Sequence, residues 1–97
     1  MSPLMAKPAR EIVKNNLGRK VRELRLSLNM SQTALAAKAD THQEFISDME
    51  RGEANPTLET IVRIATALGV HVDELFDSRR QWRLMERRRA RSFGRTS

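Results

Sequence analysis

An all-α fold of five helices followed by a basic tail is what this 97-residue chain predicts, on three observations. Apolar residues recur at three- and four-residue steps through most of its length, the spacing of one helix face. Residue types that open helices, Ser31, Thr41 and Thr57, stand just before these runs, and types that close them, Asn29, Gly52 and Gly69, stand just after. Glycine and proline are scarce, at four and three residues, so extensive turn structure is not expected.

The elements follow in order. Residues 1–10, with Pro3 and Pro8, read as a flexible arm, and residues 11–77 as the folded domain. Between Glu11 and Leu28 a first helix is marked by Ile12, Val13, Leu17, Val21, Leu24 and Leu28. Gly18 costs that helix up to about 1 kcal/mol. Asn29 suits a left-handed cap, and Ser31 opens a short, alanine-rich second helix, Gln32 to Ala39, with Leu35 and Ala36 facing inward. Thr41, with Glu44 three residues on, has the spacing of a capping box and opens a third helix carrying Phe45, Ile46 and Met49. Thr57 opens a fourth, whose buried face is Leu58, Ile61, Ile64, Ala65 and Leu68; Val72, Leu75 and Phe76 make a short fifth. Residues 78–97 are an arginine-rich tail, partly helical or disordered.

Composition narrows the function. A chain of this length supports one small core, and with three Phe, one Trp and no Tyr that core is aliphatic. Without cysteine there is no disulfide, thiolate metal site or cysteine nucleophile. His42 and His71 are too isolated for a metal site, no glycine loop for phosphate is present, and neither a cofactor nor catalysis is expected. MSPLMAKPAR lacks the apolar run of a signal peptide, and nothing approaches the roughly 18 apolar residues of a membrane span. The expectation is a soluble cytoplasmic protein with no membrane partner.

The formal net charge of +6 points towards a polyanion. It is unevenly placed. Residues 79–97 hold eight arginines against one acid, Glu86, whereas residues 1–78 hold ten bases and eleven acids. The globular part is nearly neutral, and the excess belongs to the tail.

The second and third helices are separated by only a few residues, which forces a steep crossing that small or aliphatic contacts alone can pack. Ala36, Leu35, Ala39, Ile46 and Met49 meet that need, and Asp40 tolerates the positive φ of the reversal. The pair reads as a helix-turn-helix, in which one helix braces another against the major groove of DNA.

Over roughly residues 14–76 the chain resembles the Xre-type helix-turn-helix domains, the group of the lambda-like phage repressors and Cro. The likeness runs through LGRKVRELRLSLNMSQTALAAKAD, FISDMERGEANPTLETIVRIATALGV and VDELF, with Asp40 standing where glycine is usual. It implies a compact five-helix lambda-repressor-like domain that binds double-stranded operator DNA, usually as a homodimer on a palindrome. The recognition helix spans about 42–50. His42, Gln43, Glu44, Ser47 and Asp48 are the expected base contacts, with Gln43 suited to bidentate pairing with adenine. Ser31, Gln32, Arg51 and Arg19 are the expected phosphate contacts, and Arg25 with Glu50 the structural ion pair.

Acids at 40, 44, 48, 50 and 53 surround the single base Arg51 where a polyanion should dock. Glu50 and Asp40 are assigned to the fold; Glu44 and Asp48 are expected to restrict which DNA is accepted. Glu44 has an alternative use as the third residue of the capping box. The reading is a repressor-like, sequence-specific transcriptional regulator. Its alternatives are a restriction-modification controller or an antitoxin with the same domain, a toxin or polymerase then being a protein partner, or a protein-interaction adaptor. Trp82 and Met85 in the tail are candidate dimer anchors, and the tail itself a candidate phosphate arm.

Overall fold

The computed structural model describes residues 3–76. Five helices follow in chain order: α1 (Pro3–Ser27), α2 (Gln32–Lys38), α3 (Gln43–Glu50), α4 (Leu58–Leu68) and α5 (Val72–Leu75). The described residues contain no strand, so the all-α expectation holds. Residues 78–97, with Trp82 and Met85, lie outside the described residues.

Each helix contributes one of the largest fully buried side chains: Val21, Leu35, Ile46, Ile64 and Leu75. Ala36, Ala39 and Ala65 are buried between them, and their small side chains let the short helices approach closely. Helix α3 packs chiefly on α2 and α1, and α4 closes the other side of α2.

Helix α1 begins at Pro3, so a flexible arm over residues 1–10 is not what residues 3–10 form. Proline is favoured at the first position of a helix, and the Leu, Met, Ala, Lys and Arg residues that follow are good helix formers. At 25 residues α1 is about 37 Å long, far longer than the eight-residue helix it packs against. Leu17, Val21 and Arg25 are therefore buried, while Ile12 and Val13 remain exposed although they share the apolar spacing; Leu28, beyond the helix end, is exposed too. Periodicity identifies a face, not how far along it a partner extends.

Gly18 has a use that helix propensity conceals. A Cβ built there would lie 2.2 Å from the Met49 carbonyl oxygen and 2.9 Å from that of Glu50. Glycine is what lets α1 run against the C-terminal turn of α3.

Asn29 adopts φ 54°, as expected of a left-handed cap, and Ser31 caps α2 by accepting a 3.0 Å bond from the Ala34 amide. Asp40 also adopts φ 54°. The expected capping box at Thr41 does not form: the N-cap of α3 is His42, with extended backbone. The Thr41 amide donates instead to the Ala36 carbonyl at 2.9 Å, completing the end of α2. The reversal thus consumes residues 40 and 41, and α3 starts one residue later than the spacing suggests. Glu44 falls at its second position.

Thr57 accepts from the Thr60 amide at 3.2 Å and caps α4. Ile61, Ile64, Ala65 and Leu68 are buried as expected, but Leu58 is 71% exposed. As the first residue of α4 it precedes the stretch that packs on α2. Gly69, at φ 72°, ends α4; Leu75 is buried, and Phe76 caps α5 and is exposed.

Candidate nucleic-acid interface

The brace beneath α3 is an ion pair. The Arg25 Nε donates to Glu50 Oε2 at 2.7 Å and its Nη2 donates to Glu50 Oε1 at 3.0 Å, a bidentate contact with both side chains less than one tenth exposed. Its Nη1 donates to the Met30 carbonyl at 2.8 Å. Hydrogen bonding to Glu50 raises the guanidinium pKa above its ordinary value, desolvation opposes this, and the Glu50 charge adds to the rise. Arg25 therefore stays charged throughout the range in which proteins fold. The pair joins α1 to the last turn of α3 and to the α1–α2 connection, fixing how α3 is presented.

From Glu50 the hydrogen bonds continue outward. Gln32 Nε2 donates to Glu50 Oε1 at 3.1 Å, and Gln43 Nε2 donates to Gln32 Oε1 at 2.7 Å. Gln32 is half-buried and Gln43 exposed. The chain runs from a buried charge to the surface of the helix-turn-helix pair. Gln43 retains an unshared carbonyl oxygen and one amide hydrogen facing outward, the donor and acceptor that adenine pairs with in the major groove.

The other sequence-predicted residues lie around Gln43. His42 and Glu44 are exposed, Ser47 and Asp48 half-buried. Among the described residues Glu44 has no hydrogen-bond partner, so its alternative use in a capping box falls away. Asp48 pairs with Arg51 Nη2. Arg51 also donates from Nη1 to Ser47 Oγ at 2.6 Å and from Nε to Glu53 Oε2 at 3.2 Å. One long cationic side chain can satisfy three acceptors spaced along the end of a helix and the following loop, which is why the acidic run closes on Arg51.

Ser31 and Gln32 sit together at the start of α2, where amides not used in the helix point outward. Their side chains are already engaged, Ser31 as the cap and Gln32 in the chain to Glu50, so the backbone amides are what α2 can offer a phosphate. Arg19 is exposed on α1.

Two features of this surface go beyond the sequence reading. The Asp48–Arg51 contact has helical i, i+3 spacing and is readable in principle. Gln32 as a bridge is not, because it joins the two ends of α3 to α2, whose relative placement no local pattern contains. Among the described residues, no helix is long and apolar enough to cross a membrane.

Comparison with known proteins agrees with the fold. The family model described as helix-turn-helix, HTH_3, matches residues 21–75. The control protein C.BamHI of Bacillus amyloliquefaciens is 51% identical over 61 residues, covering 62% of this chain and 75% of that protein. The immunity repressor protein of Bacillus phage phi105 is 32% identical over 59 residues, 61% of this chain and 41% of the repressor. The crystal structure of the restriction-modification controller protein C.AhdI from Aeromonas hydrophila superposes with a TM-score of 0.64 at 35% identity, covering 65% of this chain and 96% of C.AhdI. The chain belongs to the HTH_3 helix-turn-helix family of sequence-specific, DNA-binding transcriptional regulators.

Proposed function

We propose that this regulator acts as a restriction-modification controller: a homodimer that sets α3 of each copy into successive major grooves of a palindromic operator, with half-sites about 34 Å apart. The observation that supports the controller reading is the 51% identity to C.BamHI, which extends over three quarters of that protein. In this reading Gln43, Glu44 and Ser47 contact bases, with His42 and Asp48 beside them. The amides of Ser31 and Gln32, and the side chains of Arg19 and Arg51, contact phosphates. Arg51 exchanges its contacts with Asp48 and Glu53 for phosphate oxygens on docking.

Selection from a pool of random duplexes tests the DNA-binding geometry. The expected product is an inverted repeat bound far more tightly than random duplex across a salt titration. A specific-to-random ratio near one overturns it. The controller role is tested by deleting the gene and measuring transcripts of a neighbouring restriction endonuclease or methyltransferase; unchanged transcripts reject that role and leave operator binding intact.

A further inference from the structure

The near neutrality of residues 1–78 conceals two stretches of opposite sign. Residues 1–22 hold six bases, Lys7, Arg10, Lys14, Arg19, Lys20 and Arg22, against Glu11 alone, whereas residues 23–78 hold four bases against ten acids. The positive charge of the domain is concentrated on its first helix. We infer that the part of α1 ahead of Gly18 is a backbone clamp, whose Arg10 and Lys14 contact DNA phosphates once α3 is seated in the major groove. The inference rests on the docking of α3 proposed above. It concerns a stretch that lies ahead of residues 21–75, the part of the chain that the helix-turn-helix family model matches.

The register of α1 supplies the direction. Leu17, Val21 and Arg25 are buried, and Gly18 meets the Met49 and Glu50 carbonyls, so these residues mark the side of α1 that is turned to α3. Three- and four-residue steps towards the N-terminus along that side reach Lys14, Arg10 and Lys7. Where α3 no longer covers the helix, its formerly apolar side becomes basic. Asn15 packs against Gly52, and an open groove of about 290 Å³ has Ala9, Arg10, Val13 and Lys14 on one wall and Asn55 on the other. The basic side thus emerges beside the loop that follows α3, on the side of the molecule where Arg51 lies.

Size and charge decide what this overhang can meet. The eight residues of α3 are about 12 Å long, close to the width of the major groove, so a seated α3 brings its C-terminal end and the following loop to the phosphates of one wall. Between Gly18 and Arg10, α1 runs on for about 12 Å, which carries its cations past the end of α3. They are not engaged within the fold. Arg25, Arg51 and Arg63 each pair with an acid, whereas Arg10 and Lys14 pair with none among the described residues. Arg51 must give up Asp48 and Glu53 before it meets a phosphate, but Arg10 and Lys14 have nothing to give up. On contact they release the counterions condensed on the DNA.

The test uses the full chain and the duplex selected from a random pool, with each phosphate in turn replaced by an uncharged methylphosphonate. In the wild type, positions where the replacement weakens the complex mark the phosphates in contact. In the double variant Arg10→Gln, Lys14→Gln, which keeps good helix formers at both positions, at least one of these positions is expected to become insensitive. The slope of log K against log salt should flatten by about 0.9 for each phosphate lost. Base preference should stay that of the wild type, because a phosphate contact carries no sequence information. Should the double variant fail to fold, Arg10→Gln alone decides, since Arg10 is exposed. A variant that keeps every sensitive position and the wild-type slope overturns the clamp and leaves operator docking intact. Weaker binding with every position still sensitive also overturns it, and assigns the bases to the general field of the protein. If no duplex is preferred over random sequence, the docking of α3 and the clamp fall together.

Discussion

Gly18 shows how magnitudes decide at the level of one residue. Replacing a helical glycine by alanine gains up to about 1 kcal/mol of helix propensity. Against that, the new Cβ would stand 2.2 Å from a backbone carbonyl of α3, and backbone cannot rotate aside as a side chain can. Overpacking of this kind costs about 1–3 kcal/mol or more. Gly18→Ala is expected to be net destabilising, read as a lower denaturant midpoint in urea unfolding; a raised midpoint would show that α1 and α3 separate freely. The Arg25–Glu50 pair is the second such case. Removing one member leaves a buried charge alone, at a cost of about 3–5 kcal/mol. Arg25→Ala should therefore shift the urea midpoint further than Arg19→Ala, whose side chain is exposed. Asn29 and Asp40 were legible at this scale because a positive φ is a property of one residue and its neighbours. The close approach at Gly18 was not, since its cause lies some thirty residues further along the chain.

At the scale of elements, local signals located the helices and tertiary demands adjusted their ends. Helix α2 has seven residues, well below the roughly 12–15 at which an isolated helix becomes marginal, so its cap and its packing must hold it. Ser31→Ala removes the bond to the Ala34 amide and is expected to cost about 1 kcal/mol, measured by urea unfolding. The buried residues of α2, α3 and α4 were nearly all legible from period and side-chain size. The start of α3 was not, because the turn after α2 takes up the Thr41 amide before α3 can use it. The candidate site divides along the same line. Its exposed residues follow from position on α3, whereas the engagement of Arg51 by Asp48, Ser47 and Glu53 follows from side-chain reach. That engagement has a consequence for binding. Asp48→Asn removes an acid and loosens Arg51, so random-duplex affinity should rise more than with Glu44→Gln, which removes a charge alone. The excess should vanish when Arg51→Gln is added. Equal effects in the presence and absence of Arg51 would mean that Asp48 acts only through its own charge.

For the whole molecule the decisive quantity is where the charge sits. Residues 1–78 carry one more acid than base, and residues 79–97 carry eight arginines against Glu86. A nearly neutral domain with an acidic run along α3 offers little general attraction to phosphate, so in the proposed function affinity is expected to come chiefly from α3, with sharp discrimination between specific and random duplexes. The arginine segment has the composition for the opposite property, attraction without sequence. If it meets the DNA backbone, each phosphate it neutralises contributes about −0.9 to the slope of log K against log salt. Replacing Arg87, Arg88 and Arg89 by Gln should then flatten that slope by about 0.9 for every phosphate no longer neutralised, and weaken specific and random duplexes by the same factor. The selected operator sequence should not change, because base reading resides in the helix-turn-helix. A slope that stays constant while the dimer dissociates at higher concentration would assign the segment to subunit association instead. Sedimentation of the same variant without DNA separates the two, since a phosphate arm has no effect on the association of free protein.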